Sequence, residues 1–199
     1  MESLKNNDAS LLLEMKALIA NRNEKAIELL YDHYYDRLCH FAQTFHVSAE
    51  SAAEIVEDLF INLWSKPLLV QNITNLSVYL YRAVKNGSLD KLEKSNKILT
   101  TDFSAAGYTV EDSAASPIEA LVLAEMNQAL QVVVDSLPPR CRLIFTLIRE
   151  DGLSYKEVAE ILGISVNTID NQMAIAVKRI CAVLGISRNP ASNNSSRKN

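Results

Sequence analysis

Near the C-terminal end of this chain, Asn167, Asp170, Asn171 and Gln172 precede Lys178 and Arg179. Asn and Gln side chains can pair a donor and an acceptor with an adenine edge in the major groove of DNA, and Lys and Arg can meet phosphates. Helical spacing puts Asn167, Asn171, Ala174 and Lys178 on one face, with Asp170 and Gln172 beside them. Ile169, Met173, Ala176 and Ile180 fall on the other face. A polar reading face with an apolar back is what a DNA-recognition helix needs. Lys156, further upstream, is another phosphate candidate. Asp170 would repel phosphate unless it accepts from a cytosine amino group. A helical hairpin whose polar face is simply solvated is the plain alternative.

Other reactive side chains suggest less. His33, His40 and His46 lie near Cys39, but tetrahedral zinc needs converging ligands, and Cys39 does not share a helix face with His33 and His40. Cys39, Cys141 and Cys181 are far apart and odd in number, with no CxxC, so they read as reduced thiols. There is no Gly-rich phosphate loop, no G-x-S-x-G and no carboxylate pair in a cleft pattern. The expectation is a protein that is not an enzyme, with no metal and no cofactor.

The reading face needs a scaffold. Ala159 is small where two helices would cross, Gly163 suits a left-handed turn, and Ile169 anchors a second helix. Val158, Leu162 and Ile164 fill the space between, and Ser165 is placed to cap the second helix. Together these predict a helix-turn-helix within residues 153–180. Upstream, apolar residues recur at helical spacing from Leu11 to Phe45, with the stripe Ile27, Leu30, Tyr34, Leu38, Phe41, Phe45. A helix from about Ser48 to Trp64 follows, capped by Ser48 or by the box Ser51–Glu54, and stopped by Pro67. A polar loop, Gln71 to Asn75, leads to a helix from about Leu76 to Lys97. Helical pattern returns at Pro117 and is broken at Pro138–Pro139.

The chain has 199 residues, 48% of them hydrophobic, with only 5 Gly and 5 Pro. The expected fold is all-α: two small helical domains joined by a linker, the C-terminal one a helix-turn-helix. The expected boundaries are 1–97 for the first domain, 98–116 for an acidic linker, 117–186 for the second domain and 187–199 for a disordered tail. No apolar run approaches the roughly 18 residues that span a bilayer. The N-terminus lacks the apolar stretch of a secretory signal, so a cytoplasmic protein without direct membrane insertion is expected.

The net charge of −4 looks wrong for a DNA binder, but it is distributed in blocks. Residues 24–66 carry a local −5, 76–99 a local +3, 100–139 a local −6 and 154–199 a local +3.

Several motifs, in order, resemble one family. The run Leu29-Leu30-Tyr31-Asp32-His33-Tyr34-Tyr35-Asp36-Arg37-Leu38 resembles the first helix of extracytoplasmic-function (ECF) sigma factors. Ala53-Glu54 through Asp58-Leu59-Phe60 to Leu63-Trp64 is similar to their polymerase-binding helix. Tyr79-Leu80-Tyr81-Arg82 with Lys85-Asn86 and Leu89-Asp90 is similar to their promoter-melting helix. Leu137-Pro138-Pro139-Arg140-Cys141-Arg142, then Glu150-Asp151-Gly152-Leu153-Ser154-Tyr155, resembles the start of their second domain. The resemblance spans roughly residues 10–184.

The resemblance implies a sigma factor whose partners are core RNA polymerase, promoter DNA and an anti-sigma factor. It implies polymerase binding by Glu54, Asp58, Phe60 and Trp64, although Phe60 and Trp64 suit a core equally well. Tyr79, Arg82, Lys85, Asn86, Lys91 and Lys94 would contact the downstream element and assist melting. Tyr79 could pack or stack on an unpaired base. Residues 66–75 match the segment that would hold a flipped-out base. Lys156, Ser165, Asn167, Thr168, Asp170, Asn171, Gln172, Lys178 and Arg179 would contact the upstream element. The acidic stretch from Asp102 to Asp135 would suit a channel built for a polyanion.

Three departures stand out: Gly87 is expected to interrupt the melting helix, and Glu93 and Ile175 stand where the family usually has basic residues. Two rivals follow from the residues. One is a two-domain helix-turn-helix regulator that acts without core polymerase. The other is a helical interaction protein with no DNA role.

Overall fold

The computed structural model describes residues 2–95 and 132–183, with side chains described over 10–94 and 132–183. All regular secondary structure among the described residues is helical. Helices α1 (Glu2–Ala20), α2 (Lys25–Gln43), α3 (Ala49–Ser65), α4 (Pro67–Gln71) and α5 (Leu76–Ser95) build the first half. Helices α6 (Pro139–Arg149), α7 (Tyr155–Leu162) and α8 (Val166–Val183) build the second, preceded by a helical stretch over 132–135. The proposed linker, most of the helix expected from Pro117 and the C-terminal tail lie outside the described residues.

The periodicity from Leu11 to Phe45 is carried by two helices. The chain turns at residues 21–24, where Arg22 takes a left-handed φ of 53° and the Asn23 side chain accepts from the Lys25 amide at 3.1 Å. Leu30, Tyr34, Leu38, Phe41 and Phe45 are buried, as their spacing requires, and Ile27 packs at the margin. Each fully buried side chain of this size contributes about 2 kcal/mol over an exposed one. Ser48, not Ser51, caps α3: its side chain accepts from the Ser51 amide at 3.1 Å. Pro67 ends α3 and also opens α4 as its first residue, where a missing N–H costs nothing.

Helix α5 crosses α2 and α3 with Leu80, Tyr81 and Val84 facing inward. The Tyr81 ring meets Phe41 edge-on at 5.0 Å, and the Tyr34 hydroxyl bonds Ser77 at 3.1 Å inside the core. Contrary to the sequence expectation, Gly87 does not interrupt this helix. It sits where α5 approaches α3, and a Cβ there would lie 3.0 Å from Ile55 Cγ2. A side chain there would have to push Ile55 aside by a few tenths of an ångström, and the helix tolerates the glycine at roughly 1 kcal/mol against alanine.

Gly87→Val should therefore lower stability by about 2 kcal/mol through overpacking, read from urea unfolding. Adding Ile55→Ala should recover part of that loss. Additive losses would show that the two sites do not meet.

Candidate nucleic-acid interface

The helix-turn-helix is assembled by local devices. Ser154 and Glu157 form a reciprocal capping box at the start of α7. The Ser154 amide donates to Glu157 Oε2 at 2.7 Å, and the Glu157 amide donates back to Ser154 Oγ at 3.3 Å. Gly163 ends α7 in the left-handed region with φ 68°, which lets the chain reverse without steric cost. Ser165 caps α8, accepting from the Thr168 amide at 3.1 Å, and the two hydroxyls bond at 2.8 Å. Ile169, Met173 and Ala176 are buried against α6 and α7, and Cys141 Sγ donates to the Gln172 carbonyl at 3.2 Å. Burial raises the Cys141 thiol above its ordinary range, which keeps it protonated and inert.

That packing leaves Asn167, Asp170, Asn171, Ala174 and Lys178 exposed together on α8, with Lys156 exposed on α7. Thr168 and Gln172 are half-buried at the edge of this face. Ile175 shares the exposed side, 41% accessible, where a cation would have added a phosphate contact. Arg179 is exposed, but its guanidinium donates to the Ser136 carbonyl at 3.3 Å, so part of its hydrogen-bonding capacity is spent on the domain itself.

In the first half, the expected sites divide. Glu54 and Asp58 are exposed on α3, and Trp64 is half-buried. Phe60 is 1% exposed, with its ring edge-on to Tyr31 at 5.3 Å, so it is a core residue and not a direct polymerase contact. Its spacing on α3 served a core and an interface alike, and the core took it. On α5, Arg82, Asn86 and Lys94 are exposed and Lys85 is half-buried. Lys91 pairs with Glu54 across α3 and α5, so each already has a partner within the bundle. Tyr79 packs half-buried against the core, and burial raises its phenol above the ordinary range. Asp135 is tied to Arg142 at 3.4 Å, so this end of the acidic stretch supports α6. His33 and His40 each place Nδ1 on the carbonyl four residues earlier, at 3.0 and 2.7 Å. Among the described residues no three His, Cys, Asp or Glu side chains come together as a metal would need.

The two halves also meet. Helix α7 packs on α5. Arg82 pairs with Glu160 at 3.1 Å, and Asn75 Nδ2 donates to Glu157 Oε1 at 2.8 Å. Between α6 and α7, the half-buried Asp151 carboxyl lies near Tyr81 of α5 and Arg37 of α2. Burial pushes its pKa up to about 7, against the lowering pull of the Tyr81 hydroxyl and the Arg37 guanidinium, with Glu150 adding a further push upward. Burial also raises Glu150, assisted by Asp135 and opposed by His40 of α2. Sequence reasoning missed this junction. Neither the Ser154–Glu157 box nor its partner Asn75, 82 positions away from Glu157, was read from the sequence.

These two units, in this order, are the parts of a transcription initiation factor. The profile described as Sigma-70 region 2 matches residues 30–98, and the one described as Sigma-70, region 4 matches residues 127–180. The chain belongs to the sigma-70 family, in its ECF branch. It is 24% identical over 158 residues to the ECF RNA polymerase sigma factor SigW of Bacillus subtilis, covering 76% of this chain and 84% of that protein. It is 24% identical over 160 residues to the ECF RNA polymerase sigma-E factor of Escherichia coli, covering 76% and 82%. Among solved structures, it resembles the sigma factor RpoE of Bartonella quintana, solved in complex with the anti-sigma factor NepR. There the TM-score is 0.55 and the identity 19%, covering 83% of this chain and 99% of that one. It also resembles CnrH, solved with the cytosolic domain of CnrY, with a TM-score of 0.50 and 18% identity, covering 91% and 99%. Among the described residues, no helix is long and apolar enough to cross a membrane.

The half-buried Asp151 carboxyl gives a pH signature. Asp151 holds its proton up to about pH 7 in the folded chain and loses it near 3.8 when unfolded. Protonation thus favours the folded state, and this group's contribution is lost as pH rises from about 4 to about 7. Asp151→Asn should remove that decline, so the stability gained over wild type in urea unfolding should grow across this window. A pH-independent difference would contradict the burial of the charge.

Proposed function

We propose that this chain directs core RNA polymerase to its promoters by dividing the work between two surfaces. The observation that carries this reading is the order of the two sigma regions, with an intact, solvent-facing recognition face on α8. Asn167 and Asn171 would read base edges of the upstream element, while Lys156 and Lys178 would fix the helix on phosphates. Ser165 and Thr168 would hold the start of α8 against the backbone, with Gln172 and Asp170 at the margin of the base-reading set. Arg179 would contribute from the domain edge. On α5, Arg82, Lys85, Asn86 and Lys94 would track the downstream element, and Tyr79 would support residues 66–75 from below.

Glu54 and Asp58 on the exposed side of α3 would dock on polymerase, with Trp64 at the edge. We place the domains at 1–97 and 117–186, joined by the acidic linker. The chain supplies no covalent chemistry in this scheme. Strand capture and polymerase contacts provide the free energy for melting, and the polymerase makes the RNA. Such a subunit works in the cytoplasm. As with the Bartonella quintana neighbour, solved with its anti-sigma factor, we propose that an anti-sigma protein silences this chain by covering the same surfaces.

Replacing Asn171 and Lys178 by Ala should reduce promoter-specific transcription in a reconstituted assay by roughly tenfold or more, since one paired base contact is worth about 1–3 kcal/mol. Transcription at the wild-type level would sink the assignment of α8. Asp58→Arg, at an exposed site, should leave folding intact by circular dichroism and abolish co-purification with core polymerase. Retained binding would place the docking surface elsewhere.

A further inference from the structure

Helix α1 ends in a turn that glycine would suit and arginine occupies. The Asn23 amide donates to the Leu18 carbonyl at 2.9 Å, closing the turn around Arg22, whose φ is 53°. A left-handed position after a helix favours glycine, because a Cβ strains it. The guanidinium held there has a target. Arg22 Nη1 donates to the Trp64 carbonyl at 3.3 Å, in the last turn of α3. Less than two turns earlier on α1, Lys16 Nζ donates to the Gln71 carbonyl at 3.0 Å, at the end of α4. Gln71 Nε2 donates back to the Lys16 carbonyl at 3.4 Å. Carbonyls in a helix's last turn lack intrahelical partners and carry its negative end, so both cations sit where electrostatics favour them. Met15 and Ile19 of α1 and Val70 of α4 are buried, and the two helices pack together.

The two cations bracket residues 64–71, the turn from α3 into α4. This stretch opens the segment that would hold a flipped-out base. Within it, Asn72 Nδ2 donates to the Leu68 carbonyl at 2.9 Å, while the Leu68 side chain stands 81% exposed. A helix of five residues is too short to hold its shape unaided, so α4 depends on what it leans on.

We propose that Lys16 and Arg22 are positioning residues for the choice of downstream element: α1 braces the α3–α4 turn so that residues 66–73 meet the unpaired base in one preset shape. This rests on the reading of residues 66–75 as the base-holding segment. Neither cation touches DNA in this scheme. A reader fixed beforehand discriminates between bases better than one that moulds itself to each. Arginine at position 22 gives up backbone ease for that fixation.

The test uses the full chain. Arg22→Gly removes the guanidinium while giving the backbone the residue its φ favours, so urea unfolding should change little. The amides of Leu69, Val70, Asn72 and Ile73 are bonded within this segment. They should exchange with deuterium about fivefold faster in Arg22→Gly and in Lys16→Met, and Lys16→Arg should restore protection. Wild-type exchange in both variants would overturn the brace. Transcription with core polymerase, on a promoter library randomised across the downstream element, then tests what the brace is for. Preference for the best base over the worst, at the most selective position, should fall about fivefold in both variants and return in Lys16→Arg. A uniform loss of transcription with that preference intact would mark a merely structural role and overturn the proposal. Leu68→Ser/Thr74→Ala, at two exposed sites inside the segment, separates the two readings. An unchanged preference there would sink the base-holding segment itself, while deuterium exchange still decides whether α1 braces the turn.

Discussion

Leu80, Tyr81 and Val84 must leave water on the same helix that must keep Arg82 and Asn86 in it. Helix α5 meets this constraint, and both halves of the chain are arranged around it. Its inner face is gripped by α2 and α3, with Gly87 allowing α3 to come close. Its outer face carries cations, two of which have acidic partners. Within the bundle, Lys91 is held by Glu54. Across the domain junction, Arg82 is held by Glu160.

The second half is built the opposite way. Its last helix, α8, owes its direction to short-range devices: the Ser154–Glu157 box, the left-handed Gly163 and the Ser165 cap. Ile169, Met173 and Ala176, buried beneath it, complete the grip. Nothing in that scaffold makes α8 a strong binder alone. Asp170 and Ile175 share the exposed side with Asn171 and Lys178, and Arg179 is partly occupied by Ser136. That composition suits a factor that reads DNA when polymerase presents both halves at once.

Whatever depended on local periodicity was legible in the sequence. The buried stripe of α2, the turn at Gly163 and the polar face of α8 follow from spacing and residue type, whereas the sequence left Ser48 and Ser51 as rival caps for α3. The ambiguous aromatics were not, because Phe60 satisfies a core and an interface with the same spacing, and only packing decides. Gly87 misled for a related reason: a glycine inside a helix reads as a weakness until the facing Ile55 is known. The charge blocks correctly separated an acidic α3 from a basic α5. They could not show that Lys91 would be neutralised by Glu54, or that Glu157 would serve a cap and an interdomain contact together. Those pairings join distant positions, and a single sequence carries no sign of them.

The central claim is that this chain reads promoters as part of polymerase. Footprinting on a promoter-bearing fragment, with the chain alone and with core enzyme added, tests it most directly. The account predicts no sequence-specific protection by either component alone. The two together should protect an upstream and a downstream element, with strand opening at the latter. Full protection by the chain alone, unchanged when core enzyme is added, would contradict it.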